Sequence, residues 1–177
     1  MFDVYQASSD NCQRYVIGKS GARPLHVIGL NPSTANQNKS DTTITKINNF
    51  SIQNKYDGFL VYNLYPIRAT NPDNLPTRYN AKVIHNNAKI IFDYISDSNQ
   101  MDIWVAWGQM INKRSYLIKS LSEIMIRLKS LDPNWIMIGS ATKSGDPRHP
   151  SRISYKKRFC AFDIHQYMNK LKANQRV

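Results

Sequence analysis

The chain is short of several things, and each shortage closes a class of function. It has 2 cysteines among 177 residues, too few for a thiolate-held cluster or a four-cysteine zinc site. Cys12 and Cys160 form no C-x-x-C unit, so free thiols in a reducing, cytoplasmic setting are expected. No apolar run approaches the roughly 20 residues a membrane span needs. The N-terminal stretch has no basic region followed by an apolar one, so no signal peptide is expected. The common phosphate-binding devices, a G-x-x-x-x-G-K-[ST] loop and a G-x-G-x-x-G turn, are missing. No G-x-S-x-G turn surrounds a serine, so a serine hydrolase using Ser33 or Ser151 ranks third among the readings. His149 has no second histidine or cysteine at ligand spacing, so neither a metal nor a cofactor is expected.

Negative charge is scarce as well. The chain carries 24 Lys+Arg against 12 Asp+Glu, a net charge of +12. Such an excess favours a polyanionic partner, with nucleic acid the most frequent one.

What is present alternates between strand and helix. Residues 12–18 read as a strand, turned by residues 19–21 into a second strand beginning at Leu25; the pair is expected to form an antiparallel hairpin at a sheet edge. The apolar run from Leu25 stops at Gly29-Leu30-Asn31-Pro32-Ser33, where a glycine allows a tight turn and a proline restrains Asn31. Ser40 or Asp41 caps a helix to about residue 54, with Ile44, Ile47 and Phe50 inward. Asp41 could also project its carboxylate towards the Asn31 turn. Residues 58–67 form a buried strand carrying Asn63 near its end, and a helix from about Thr77 places Ile84, Ala88, Ile91 and Ile95 on one face. Residues 102–108 and 135–139 are two further strands. Between them lies a helix with Leu117, Leu121, Ile124, Leu128 and Leu131 inward. A last helix is marked by Ala161, Ile164, Met168 and Leu171. The alternation predicts a single α/β domain over 1–177, a three-layer α/β/α sandwich with a central four-stranded parallel sheet plus an N-terminal antiparallel hairpin strand.

Polar segments follow three strand ends: Asn31-Pro32-Ser33; Asn63 with Tyr65 and Arg68; and Arg148-His149-Pro150-Ser151. In a parallel sheet those ends share one edge and can meet in one pocket. An asparagine amide offers both a donor and an acceptor, matching the edge of a pyrimidine base. A histidine N–H can steady a carbonyl oxygen that gains charge as a bond breaks, and a second amide carbonyl can position water. Together these suit hydrolysis of an N-glycosidic bond.

The segments resemble, in order, those of the uracil-DNA glycosylase superfamily. GLNPS at 29–33 is similar to G-Q-D-P-Y or G-I-N-P-G, and FLVYNLYPIR at 59–68 to L-L-L-N-x-x-L-T-V-R. WVAWG at 104–108 resembles I-L-W-G, and HPSRIS at 149–154 resembles H-P-S-P-L-S. The chain is more closely similar to the domain-of-unknown-function family 1643, whose pattern is L-N-P-S-T-A, D-x-T, N-L-x-x-x-R-A-T, A-W-G and R-H-P.

The glycosylase resemblance implies that Asn31 holds the attacking water, Asn63 reads the base and His149 stabilises the oxyanion of the leaving base. It implies a pocket built with Gly29, Leu30, Pro32, Ser33, Tyr65, Arg68 and Arg148. Ile153 falls at the wedge that fills a flipped nucleotide's gap. Ser33, Ser151, Lys156, Lys157 and Arg158 would pinch the DNA backbone, with Arg152 standing where the wedge motif has proline. Asn31 replaces the family's aspartate, and Asp41 is the candidate for the missing carboxylate. Phe50, Tyr62 and Tyr65 are candidates for stacking on the base. The RAT segment and Arg148 suggest a modified base. The expectation is a monomeric, metal-free DNA N-glycosylase; the alternatives are a non-cutting reader of a modified base and an enzyme of free nucleosides or nucleotides.

Overall fold

The computed structural model describes residues 1–174. Seven strands, β1 (Val4–Ala7), β2 (Arg14–Lys19), β3 (Pro24–Gly29), β4 (Gly58–Asn63), β5 (Asp102–Val105), β6 (Asn134–Ile138) and β7 (Phe159–Ala161), make one mixed sheet ordered β1-β2-β4-β3-β5-β6-β7. β3 runs parallel to β4 and β5, and β5 parallel to β6. The pairs β1–β2, β2–β4 and β6–β7 are antiparallel.

Strand alternation sends residues to opposite faces, and helices cover both. Leu25 and Val27 of β3 pack with Ile44, Ile47 and Phe50 of α1 (Thr42–Gln53). Ile28 faces the other way, into a core built with α2 (Ala81–Ser96), α3 (Ser115–Leu128) and α4 (Ile164–Asn174). Each helix contributes an apolar stripe: Ile84, Ala88, Ile91 and Ile95 from α2, and Leu117, Leu121, Ile124 and Leu128 from α3. The expected helix start at Thr77 moves to Ala81, because Asn80 accepts the Lys82 N–H (3.0 Å) and caps it. No helix of the described residues is long and apolar enough to cross a membrane.

Two expectations are corrected at the sheet edges. The hairpin of residues 12–18 with the Leu25 strand does not form, because β4 lies between β2 and β3. The connection from β2 to β3 is held at the start of β4 by Asp57, whose carboxylate accepts the N–H groups of Ala22 (2.9 Å) and Arg23 (2.7 Å). That frees β2 to pair with the far side of β4, Ile17 opposite Val61. At the other edge Ala161 belongs to β7, not to the last helix, which starts at Ile164 after Asp163 caps it through the Gln166 N–H (2.8 Å). The sheet is therefore seven-stranded and mixed.

Candidate functional site

The carboxyl ends of β3, β4 and β5 open into a cleft of about 440 Å³, lined by residues from the loops that follow them and from residues 142–152. The first two loops are zipped together by backbone bonds. Leu64 N–H donates to Gly29 O (2.9 Å), Tyr65 N–H to Leu30 O (3.1 Å) and Ala69 N–H to Pro32 O (2.9 Å). Gly29 is required by proximity, since a Cβ there would come 2.9 Å from Asn63 Oδ1.

Asn31, Asn63, Asp41, Arg148, His149, Ser151 and Arg152 all line this cleft, with Gly29, Leu30 and Ser33. Asn31 Nδ2 donates to the carbonyls of Ala69 (2.7 Å) and Pro32 (3.0 Å). Both acceptors are backbone carbonyls, so the amide orientation is fixed and Oδ1 is left as the acceptor. Asn63 is 3 % exposed, and its Nδ2 is buried without a partner. A buried donor left without an acceptor carries a desolvation cost, which an acceptor brought within its reach would remove. Asp41 caps α1 by accepting the Ile44 N–H at Oδ1 (2.9 Å), so the capping role and the cleft-lining position are held together.

His149 opens a short 3-10 turn, Pro150–Arg152, and its Nδ1 accepts the Ser151 N–H (3.4 Å) with the Ser151 hydroxyl 2.8 Å away. A backbone N–H can only donate, so Nδ1 is unprotonated and the ring proton sits on Nε2. Burial, then the Arg152 charge, pushes the His149 pKa down, with Asp41 opposing. The imidazole is therefore neutral at neutral pH, a hydrogen-bond donor through Nε2. Ser151 is paired to the same ring nitrogen, and no side-chain carboxylate hydrogen-bonds the ring among the described residues, so the two do not make a serine-hydrolase triad. Lys46 of α1 fixes this turn through the carbonyls of Ser151 (3.2 Å) and Ile153 (2.7 Å).

Gly108 supports the histidine from below. Its φ is +70°, and a Cβ added there would lie 3.3 Å from His149 Cβ. Gly108→Ala is expected to cost about 1–2 kcal/mol for the left-handed backbone alone, read as a lower urea midpoint at unchanged slope. A variant as stable as the wild type would show that the turn relaxes without the glycine.

Other expected site residues lie outside the cleft. Tyr65 is buried against Tyr116, ring centroids 4.7 Å apart, and Pro32 is buried as well. Arg68 is spent on the loops: Nη1 donates to the carbonyls of Ser33 (2.8 Å) and Ala35 (3.0 Å), and Nη2 to Tyr5 Oη (2.7 Å). Phe50 and Tyr62, the other stacking candidates, are fully buried in the core. The aromatic that lines the cleft is Trp107, tethered through its indole N–H to Tyr167 Oη (3.2 Å). The A-W-G signature contains it, but nothing in the sequence marks its strand-end position as cleft wall.

Ile153 is corrected: at 2 % exposure it packs in the core beneath α1, so in this conformation it is no exposed wedge. The exposed aromatic beside it is Tyr155, whose ring lies 5.0 Å from Phe50 and 5.5 Å from Lys46 Nζ. Lys156, Lys157 and Arg158 are exposed, as is Arg152, and none forms an ion pair among the described residues. Sequence reasoning missed Arg14, which lines the cleft from β2. Because β2 runs antiparallel to β4, its first residue reaches the carboxyl edge of the parallel strands. Among the described residues no group of three or more His, Cys, Asp or Glu side chains is placed to hold a metal ion.

A family model described as "Protein of unknown function (DUF1643)" matches residues 14–151. No curated protein and no solved structure matches the chain.

Proposed function

The chain belongs to the DUF1643 family, and starting from that membership we propose that it is a base-flipping DNA N-glycosylase that hydrolyses its bond without metal or cofactor. The observation that carries the reading is the orphaned Asn63 Nδ2, buried in the same cleft as the free acceptor of Asn31 and the neutral His149. A flipped base presents carbonyl or ring-nitrogen acceptors to such a donor. The parallel strands β4-β3-β5-β6, with Asn31 just past β3 and Asn63 at the end of β4, are taken as the counterpart of the sheet in the uracil-DNA glycosylase superfamily.

In the proposed reaction the C1′–N bond breaks and its electron pair leaves with the base. His149 Nε2–H donates to the base carbonyl that gains charge. Water held by Asn31 Oδ1 adds to C1′, and Asp41 receives its proton before passing it to solvent or the departing base. The exposed Arg152, Lys156, Lys157 and Arg158, beside the cleft in sequence, supply phosphate contacts. The base is a modified or mismatched one.

The test is abasic-site formation on duplex and single-stranded DNA containing uracil, mismatched thymine, deaminated purines, or hydroxymethylated or glucosylated pyrimidines. Wild type is compared with Asn31→Ala. Alkali-labile breaks at one base, lost in the variant, are expected. No breaks at any base, with salt-sensitive DNA binding intact in both proteins, would replace the enzyme by a non-cutting reader of modified DNA.

A further inference from the structure

Arg14 is a cation that the fold buries in the wall of the cleft. It is 3 % exposed, whereas Arg148 and Arg152 stand exposed at the rim. Its Nη1 donates to Ala35 O (2.9 Å), its Nε is buried without an acceptor, and its Nη2 makes no hydrogen bond among the described residues. The neighbouring Arg68 adds a second positive charge whose Nε is also buried and unpaired. Burial and then that Arg68 charge push the Arg14 guanidinium down to about 10, which leaves it charged at neutral pH.

Among the described residues no carboxylate forms an ion pair with Arg14. Asp41 is the carboxylate that lines the cleft, and its field acts on Arg14, yet it forms no ion pair with it and its Oδ1 is committed to Ile44 N–H. A guanidinium taken out of water needs a counter-ion or a full set of acceptors. Carboxylate and phosphate oxygens match its planar fork. A neutral base edge already has Asn63 to read it and would leave this charge unanswered.

We propose that Arg14 is an anion-recognition residue in the cleft wall, so that the ligand carries a phosphate or carboxylate group in addition to the base edge met by Asn63. The inference rests on the reading of this cleft as the ligand site but not on bond cleavage.

Arg14 is also dispensable to the scaffold in one specific respect. Ala35 O accepts Arg68 Nη1 at 3.0 Å as well, so it stays satisfied when Arg14 is removed. Replacing a buried ion pair by apolar side chains of similar volume is often neutral or stabilising, and an unpaired buried charge has still less attraction to lose. A residue kept for a ligand and one kept for the fold therefore differ in their thermal behaviour.

The experiment is calorimetric titration of the full chain with four probes: deoxyuridine, its 5′-monophosphate, 5-carboxymethyl-2′-deoxyuridine and inorganic phosphate. Wild type is compared with Arg14→Met, and each protein is melted without ligand. The expected result is at least about tenfold tighter binding of one anionic nucleoside form than of deoxyuridine, lost in Arg14→Met, with no fall in Tm. Preference for the monophosphate would place the anion on the sugar, and preference for the carboxymethyl form would place it on the base. Equal binding of neutral and anionic forms, no anion-dependent binding, or a preference that survives in Arg14→Met would overturn the inference. So would a Tm lowered by several degrees with anion binding unchanged. If Arg14→Met does not fold, Arg14→Gln carries the same comparison, since it is neutral but keeps a donor. Anion binding without DNA cleavage would keep this inference and remove the glycosylase reading; cleavage without anion preference would do the reverse.

Discussion

His149→Ala is expected to slow abasic-site formation by about 10²–10³-fold, with affinity for duplex DNA little changed. The expectation follows from the proton on Nε2. Nδ1 is occupied by the Ser151 N–H and hydroxyl, and burial with the Arg152 charge keeps the ring neutral. In the proposed reaction a neutral imidazole would donate to the departing base's carbonyl without first having to lose or gain a proton. Its contribution should therefore be constant from neutral pH upward. Acid would protonate Nδ1 and set it against the Ser151 N–H, turning the ring. His149→Gln puts an amide N–H near the Nε2 position and should recover part of the rate, which a purely structural histidine would not allow. Single-turnover rates for the three proteins on the cleaved base decide it. If His149→Ala cleaves as fast as the wild type, the oxyanion role is gone and the leaving base must be stabilised elsewhere.

The alternation of strands and helices was legible because it depends on local periodicity. Leu25, Val27 and Ile28 carry the two-faced burial of β3, and Ile84, Ala88, Ile91 and Ile95 the stripe of α2. The convergence of Asn31, Asn63 and His149 on one cleft was legible for a topological reason: the carboxyl ends of parallel strands, and the loops that leave them, share an edge. What stayed hidden depends on partners distant in sequence. The place of β2 beside β4 hinges on Asp57 gripping the N–H groups of Ala22 and Arg23. Without that, Arg14 looks like an ordinary strand residue and its burial at the cleft cannot be foreseen. The resemblance implies that Arg68 contacts a ligand, yet its guanidinium meets carbonyls of the 33–35 loop, and no sequence pattern marks a backbone carbonyl as an acceptor. The motif puts Ile153 at the wedge position, whereas its side chain packs in the core with Ile44, Ile47 and Phe50 while Lys46 holds its carbonyl. Sequence patterns located the residues of the cleft better than the contacts that hold them.

Those contacts also set a limit on acid stability. His26 in the middle of β3 is fully buried, its Nδ1 3.1 Å from Tyr62 Oη and its Nε2 3.0 Å from Gln100 O. The Gln100 carbonyl can only accept, so Nε2 carries the proton and Nδ1 accepts from the tyrosine, whose own ionisation burial pushes well up. Burial pushes the His26 pKa down from 6.5 to about 4, against the Gln100 bond and the Asp102 charge. As pH falls below 6.5 the unfolded chain takes up a proton that the native ring refuses until about 4. The unfolded state then binds more protons, so stability falls with pH across that window and the contribution levels off below it. The loss amounts to about 3 kcal/mol, a large part of the 5–15 kcal/mol typical of a domain. Urea unfolding at steps between pH 7 and pH 4 should show the midpoint falling at constant slope. His26→Gln keeps a donor for Gln100 O and lacks the titrating ring, so it should be less stable at pH 7 but much flatter in pH. The exposed carboxylates Asp3, Asp10 and Asp73, held below their ordinary range, act lower down, as they protonate, so the two contributions separate by window. A variant with the wild-type pH slope would move the acid sensitivity away from His26, and His149, also pushed down by burial, would be the next histidine to replace.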